Sequence, residues 1–348
     1  MKYRQKKLLA GLFGAALLAS FASIGLYGWY LADFVESPGP SKTALEVSIE
    51  PGSSPRLVAH LLEKNGVISS EQAFYHYLRY LSGNIDQLKA GDYEFAAGQT
   101  PAQIIDILVK GRVKEIRFTI PEGSNKTDIA GIMERAGFGN KDELLALMNS
   151  AEMLTRLRAP EVSGGVEGYL FPDTYHFPKR TSPETILKRM RARLDEVLNP
   201  DMHQRLLEGP LDFNQVMTLA AIVEKETGDP LERPEIAGVF FNRLARKMKL
   251  QTDPTVIYAV PNYHGNLHKS DLAIDNPYNT YVYAGLPPGP IASPGLAAIK
   301  AVLWPATTNN LYFVSRNDGT HEFCPNLKCH EKAVRYWQID YFKKKKST

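Results

Sequence analysis

From Leu8 to Ala32 the chain carries no charged side chain, and no other feature limits its fold as strongly. A helix needs about 20 predominantly apolar residues to cross a bilayer, and this run is longer. A cleavable signal peptide is the competing reading, with Ser20-Phe21-Ala22 as a small-x-small cleavage site. The apolar region of a signal peptide covers only about 7–15 residues, whereas this run continues through Ile24, Leu26, Trp29, Tyr30 and Leu31. Tyr27, Trp29 and Tyr30 fit the aromatic belt of a membrane–water interface. Lys2, Arg4, Lys6 and Lys7 precede the run, and Asp33 and Glu36 follow it. The positive-inside rule then predicts a cytoplasmic tail at 1–7 and an uncleaved transmembrane helix at 8–32, with everything beyond outside the cytoplasm. The expectation is a single-pass protein of the cytoplasmic (inner) membrane with a periplasmic folded part.

Hydrophobic residues make up 44% of the 348 and charged residues 23%, which suits a globular remainder. The net charge of +3 lacks the basic footprint of a nucleic-acid protein, although Lys343 to Lys346 form a second basic cluster. Only two cysteines occur, Cys324 and Cys329. Close together in an extracytoplasmic domain, they read as a disulfide. Free thiols are the alternative, as is a metal site with His321 and His330, but the spacing matches no standard zinc pattern. No cofactor and no metal are expected.

Residues 33–44 contain Ser37-Pro38-Gly39-Pro40-Ser41 and read as a short stiff linker. Beyond it, residues 47–67 align without gaps on residues 118–138. Ile49, Gly52, Ser53, Ala59, Glu63 and Gly66 recur as Ile120, Gly123, Ser124, Ala130, Glu134 and Gly137. Each copy predicts a strand, a Gly-Ser turn, a helix and a glycine stop. Ser54 is the expected N-cap of the first helix and Pro55 its first residue. Between the copies the pattern predicts a helix over 71–81, a strand over 93–95 and a helix over 101–109. This small α+β unit, 45–117, has no ionisable cluster and reads as a binding or positioning module.

Residues 118–348 read as a mixed α+β catalytic domain. Helices are predicted over 182–198, 213–227, 236–248 and 331–342, and a hairpin around Asn317-Asp318-Gly319. The stretch 251–295 is rich in Pro, Gly, Asn and Tyr without periodicity, and long loops in compact domains are usually functional.

The chemistry concentrates on Leu219-Ala220-Ala221-Ile222-Val223-Glu224-Lys225-Glu226-Thr227. Val216, Leu219, Ala220 and Val223 predict a buried face with Glu224 at its edge. Desolvation there would raise the pKa of Glu224 toward that of a general acid. The commoner fate of such a residue is a solvated helical Glu paired with Lys225 or Arg233. Glu226 lies about 200° further round the helix, so the two carboxylates cannot share a face. Three further clusters, 167–175, 250–258 and 276–289, combine aromatic faces with Asn, Gln and Asp, the composition of a sugar site. Each also fits an ordinary structural turn.

At EGYLFPDTY (167–175), AAIVEKET (220–227), VFFNRL (239–244), LQTDPTVIY (250–258), PYNTY (277–281) and GLPPGPIASPG (285–295) the sequence resembles the YceG-like endolytic murein transglycosylases. Six motifs in the family's order cover almost the whole chain. The resemblance implies an anchor, a LysM-like module at 45–117 and a catalytic domain at 118–348. It implies a lyase (EC 4.2.2.-) that cuts the MurNAc–GlcNAc β-1,4 bond within nascent glycan strands and so ends strand elongation. The first Glu of IVEKE, Glu224, is the implied acid. It protonates the glycosidic oxygen while the MurNAc 6-hydroxyl attacks its own anomeric carbon, leaving a 1,6-anhydro end. Glu167, Glu226, Asn242, Gln251, Asp253, Asn279 and Tyr281 are the implied binding or orienting residues. Glycan strands, the membrane and wall-synthesis enzymes are the implied partners. A hydrolytic muramidase and an anchored glycan-binding scaffold are the competing functions. The Cys324–Cys329 segment departs from the family pattern.

Overall fold

The computed structural model describes residues 2–159, 165–261 and 263–341. Phe342 and the Lys343–Lys346 cluster lie outside the described residues. The chain divides into two compact units, one of residues 1–116 with 178–180, the other of residues 117–177 with 181–348.

The first unit opens with α1 (Lys2–Glu36), which is long and apolar enough to cross a membrane. It does not end at residue 32. Residues 33–36, expected in the linker, form its last turn, and Leu31, Phe34 and Val35 are buried. They join a core of Val58, Leu62, Phe74, Leu78, Tyr93, Phe95, Ile104 and Leu108. That core is covered by β1 (Leu45–Ile49), α2 (Pro55–Lys64), α3 (Glu71–Tyr77), β2 (Gly91–Phe95) and α4 (Pro101–Lys110). A π-helical turn, Leu78–Ser82, continues α3. β1 and β2 pair antiparallel, with Val47 opposite Tyr93. Alternate residues Val47, Ile49, Tyr93 and Phe95 point into the core, as the two-residue period of a half-buried strand requires.

The second unit begins within the second βα copy, made of β3 (Glu115–Thr119) and α5 (Lys126–Arg135). The two copies share their terminal chemistry. Ser54 caps α2 through Leu57 N, and Asn125 caps α5 through Asp128 N. Both helices end on a left-handed glycine, Gly66 (φ 73°) and Gly137 (φ 83°). The residue after each glycine donates to a carbonyl of the last turn, Val67 N to Leu62 O and Phe138 N to Met133 O. This is the Schellman arrangement, which satisfies carbonyls the helix leaves free.

There follow α6 (Lys141–Asn149), α7 (Ala151–Arg156), β4 (Thr174–Pro178), which pairs with β3, α8 (Pro183–Val197) and α9 (Pro200–Glu208). Then come α10 (Phe213–Glu226), α11 (Arg233–Ala245), α12 (Asp253–Ala259) and α13 (Leu296–Leu303). The hairpin β5 (Tyr312–Ser315) and β6 (His321–Cys324) leads to α14 (Leu327–Val334). The periodicity did not reveal α6, α7, α9, α12, α13 or β4. The 251–295 stretch holds α12 and one 3-10 turn at Asp271–Ala273, and is otherwise irregular.

Candidate active site

α10 is the central helix of the second unit. Asp212 opens it with a capping box, its side chain accepting from Gln215 N while the Gln215 side chain accepts from Asp212 N. Every residue from Val216 to Val223 is buried. A helix apolar on all sides must be enclosed on all sides. Its C-terminal turn then brings Glu224 and Glu226 out of the core in different directions, into two different environments.

Glu224 enters a clamp. Its side chain is 6% exposed and lies 2.7 Å from Nη2 of Arg233, itself 7% exposed. The other carboxylate oxygen accepts from Gly295 N at 2.9 Å. The Glu122 carboxylate packs close against Gly295, where a Cβ would make it move aside. Burial raises the Glu224 pKa above the ordinary value, and Glu122 adds to the rise. The Gly295 N–H and the Arg233 charge act against it. Both Glu224 oxygens therefore accept from donors. Arg233 was visible in the sequence only as an ordinary surface partner of Glu224. The structure keeps the pairing but buries it.

Glu226 opens instead onto a cleft of about 410 Å³, lined with Arg243, Leu250, Gln251, Asp253, Tyr281, Tyr312, Phe313, Leu327 and His330. Glu224 is not among its lining residues. One Glu226 oxygen accepts from the Thr252 hydroxyl. Burial, reinforced by the charge of Asp253, pushes its pKa up to about 7, against the Thr252 bond and the more distant Arg243. Asp253 is exposed at the start of α12 and accepts from the Tyr281 hydroxyl at 2.6 Å. Gln251 holds a left-handed φ of 46°, uncommon for a side chain of its size, and its N–H donates to Thr280 O. Strained residues of this kind gather at functional sites. The cleft thus sets a carboxyl whose pKa burial raises to about 7 beside the exposed Asp253 side chain, and carboxyl groups in contrasting environments can take different roles in acid–base chemistry.

A model of the YceG-like family matches residues 47–336. The chain belongs to the YceG-like family. Its relatives include the endolytic murein transglycosylase of Bacillus subtilis, 34% identical over 322 residues that cover 88% of each chain. That of Streptococcus pneumoniae serotype 2 is 31% identical over 349 residues, covering 92% of this chain and 63% of that one. The crystal structure of a yceG-like protein from Listeria monocytogenes has a TM-score of 0.59 and 32% identity, covering 84% of this chain and 99% of that one.

In this YceG-like chain the other residues implied by the motifs hydrogen-bond to backbone and side chains of neighbouring segments. Glu167 is 2% exposed and accepts from Lys126 N, at the first residue of α5, and from the Tyr258 hydroxyl. Burial raises its pKa to about 7, but it is not among the residues lining the cleft. Asn242 Nδ2 donates to Thr308 O and Asn310 O. Asn279 is fully buried, donates to Leu272 O and Ile274 O, and accepts from Tyr281 N. These amides organise loops that would otherwise bury unpaired carbonyls. Arg243, passed over in the VFFNRL motif, does the same at the cleft floor, donating to Leu250 O and Leu311 O. Of the cleft-wall residues, Tyr312 went unnoticed and His330 was considered only as a metal ligand, because they come from β5 and α14, remote in sequence. Cys324 and Cys329 are bonded to each other, with Cα atoms 5.6 Å apart, between β6 and α14.

Proposed function

We propose that the protein is a membrane-anchored endolytic murein transglycosylase with Glu226, in place of Glu224, as its general acid. The carrying observation is the Glu226 carboxyl, raised to about 7, on a cleft lined by Gln251, Asp253 and Tyr281. A Glu whose pKa lies near the operating pH is the effective donor. Glu224, by contrast, has both oxygens committed to Arg233 and Gly295.

In this reading Glu226 gives its proton to the oxygen of the MurNAc–GlcNAc β-1,4 bond as the bond from the anomeric carbon breaks. Asp253 offsets the positive charge that develops on the sugar. The MurNAc 6-hydroxyl attacks the anomeric carbon and passes its proton to the Glu226 carboxylate, which restores the acid. No water is consumed, and the internal nucleophile gains from its high effective concentration. α1 anchors the enzyme with its catalytic unit outside the cytoplasm. The order β1, α2, α3, β2 supports a LysM-like glycan-binding role for the first unit, which would hold nascent strands near the synthases that extend them.

Asp253 also favours a second reading, a hydrolytic muramidase, because it could activate water. Digestion of purified glycan strands by the wild-type protein, Glu226→Gln and Glu224→Gln, with mass analysis of the ends, tests both. Anhydro ends, one water lighter than hydrolysed ends, are expected, and they should vanish with Glu226→Gln. Hydrolysed ends would select the muramidase. Normal turnover in Glu226→Gln would remove Glu226 as the acid.

A further inference from the structure

We propose that the turn after α3 seats in the lipid headgroup layer, so that Tyr80 and Leu81 form a second membrane contact beside α1. The proposal rests on the membrane-anchor reading above. It begins with where α1 stops facing outward. Trp29 is 70% exposed, whereas Leu31 is 3% exposed and belongs to the core of the first unit. The unit is therefore built directly onto the end of the apolar helix. The segment after α1 is not a free tether either, because Gly39 N donates to Gln99 O and Gly98 N donates to Ser41 O.

Depth follows from helix geometry. A hydrocarbon core of about 30 Å takes about 20 residues at about 1.5 Å each. A span starting near Leu8 reaches its outer boundary around Tyr27 to Tyr30. At that level α1 is joined to α3, with Tyr27 Oη 2.6 Å from His76 Nδ1. The rings continue outward in a row. Tyr30 stacks on Tyr27, Tyr27 meets the edge of His76, and His76 meets Tyr80, each pair 5.9 Å apart. Whatever adjoins His76 therefore lies at the membrane boundary.

The turn Leu78–Ser82 adjoins it. Leu78 is buried in the core, while Tyr80 is 68% exposed and Leu81 53%. Arg79 lies over the Tyr80 ring at 5.7 Å. An aromatic ring, an aliphatic side chain and a guanidinium are the set that partitions into an interface, ring and chain toward the acyl boundary and cation toward phosphate. The bilayer surface is the occupant these exposed groups fit, because α1 itself fixes their depth.

The test uses the full-length protein in phosphatidylcholine vesicles with lipids brominated either near the headgroup or deep in the acyl chain. Three proteins are compared: wild type, Trp29→Phe, and Trp29→Phe with Tyr80→Trp. The fluorescence added by the Tyr80→Trp substitution should be quenched about twofold or more by shallow bromines and little by deep ones. Leu81→Trp replaces Tyr80→Trp should that variant not fold. Quenching of the introduced indole no greater than that of the retained Trp304 and Trp337 overturns the proposal, provided Trp29 is quenched. If Trp29 is not quenched either, the anchor reading fails and the proposal falls with it.

Discussion

Glu224 and Glu226 stand on the same helical turn, yet one sits in a clamp and the other on a cleft. Burial raises the pKa of both. They differ in what they face. Glu224 meets a buried guanidinium and a backbone N–H, which engage both of its oxygens. Glu226 meets one hydroxyl and lies on the cleft, where burial and the charge of Asp253 raise its pKa to about 7. Desolvation alone does not make an acid catalyst. The partners decide what a desolvated carboxyl group can do.

Four substitutions or measurements break or sharpen this contrast. The largest effect is expected from Glu226→Gln. General acid–base catalysis contributes about 10²–10⁴-fold, and one residue serving both proton transfers places the loss at the upper end. Strand-cleavage rates beside thermal melts would show the loss without unfolding. Glu224→Gln should instead act on stability. Removing one partner of a buried ion pair costs about 3–5 kcal/mol, because the other charge stays buried. Denaturant melts should show that loss, while turnover per folded molecule stays within about tenfold of wild type, about 1.4 kcal/mol of barrier. A dead but fully stable Glu224→Gln would reverse the assignment.

The third effect is linkage. Glu226 binds its proton more tightly folded than unfolded, the pKa rising from 4.5 to about 7. Its contribution to stability is therefore full below about pH 4.5 and is lost as pH rises through about 7. At 1.36 kcal/mol per unit the difference is about 3 kcal/mol. Melts of wild type from pH 4 to 8 should fall relative to those of Glu226→Gln, which cannot titrate. Parallel curves would mean that Glu226 is not the raised group. Activity should fall over the same upper range, as the acid loses its proton. The smallest effect is expected from Asp253→Asn. Removing that charge lowers the Glu226 pKa, so the alkaline limb of the activity profile should move to lower pH. An unmoved limb would show that Asp253 does not act on Glu226.

Much of the local structure was legible because it follows from near-neighbour chemistry. The βα copies could be read in advance from Ser54, Pro55, Gly66 and Gly137, since caps and glycine stops satisfy backbone groups within a few residues. α10 was legible from its apolar period, as was the opposite facing of its two carboxylates. The short helix α12 was hidden in a loop-like stretch rich in Pro and Gly, where tertiary packing outweighs propensity. The motifs named segments but did not give the contacts within them. Asn242 and Asn279 tie loops and Glu167 ties the start of α5, contacts that no spacing rule separates from sugar binding.

By itself the sequence determined the long apolar N-terminal helix, the α+β class, the family and the turn that carries both carboxylates. Only the tertiary structure decided which carboxylate meets Arg233 and which meets the cleft. Helical geometry sets the angle between two side chains, but the pKa of each depends on groups brought from elsewhere in the chain. Here those are Gly295 and Arg233 for Glu224, and Thr252 and Asp253 for Glu226. The same holds at the end of α1. Leu31, Phe34 and Val35 read as a continuation of the apolar helix, and only packing shows that they join the core of the first unit.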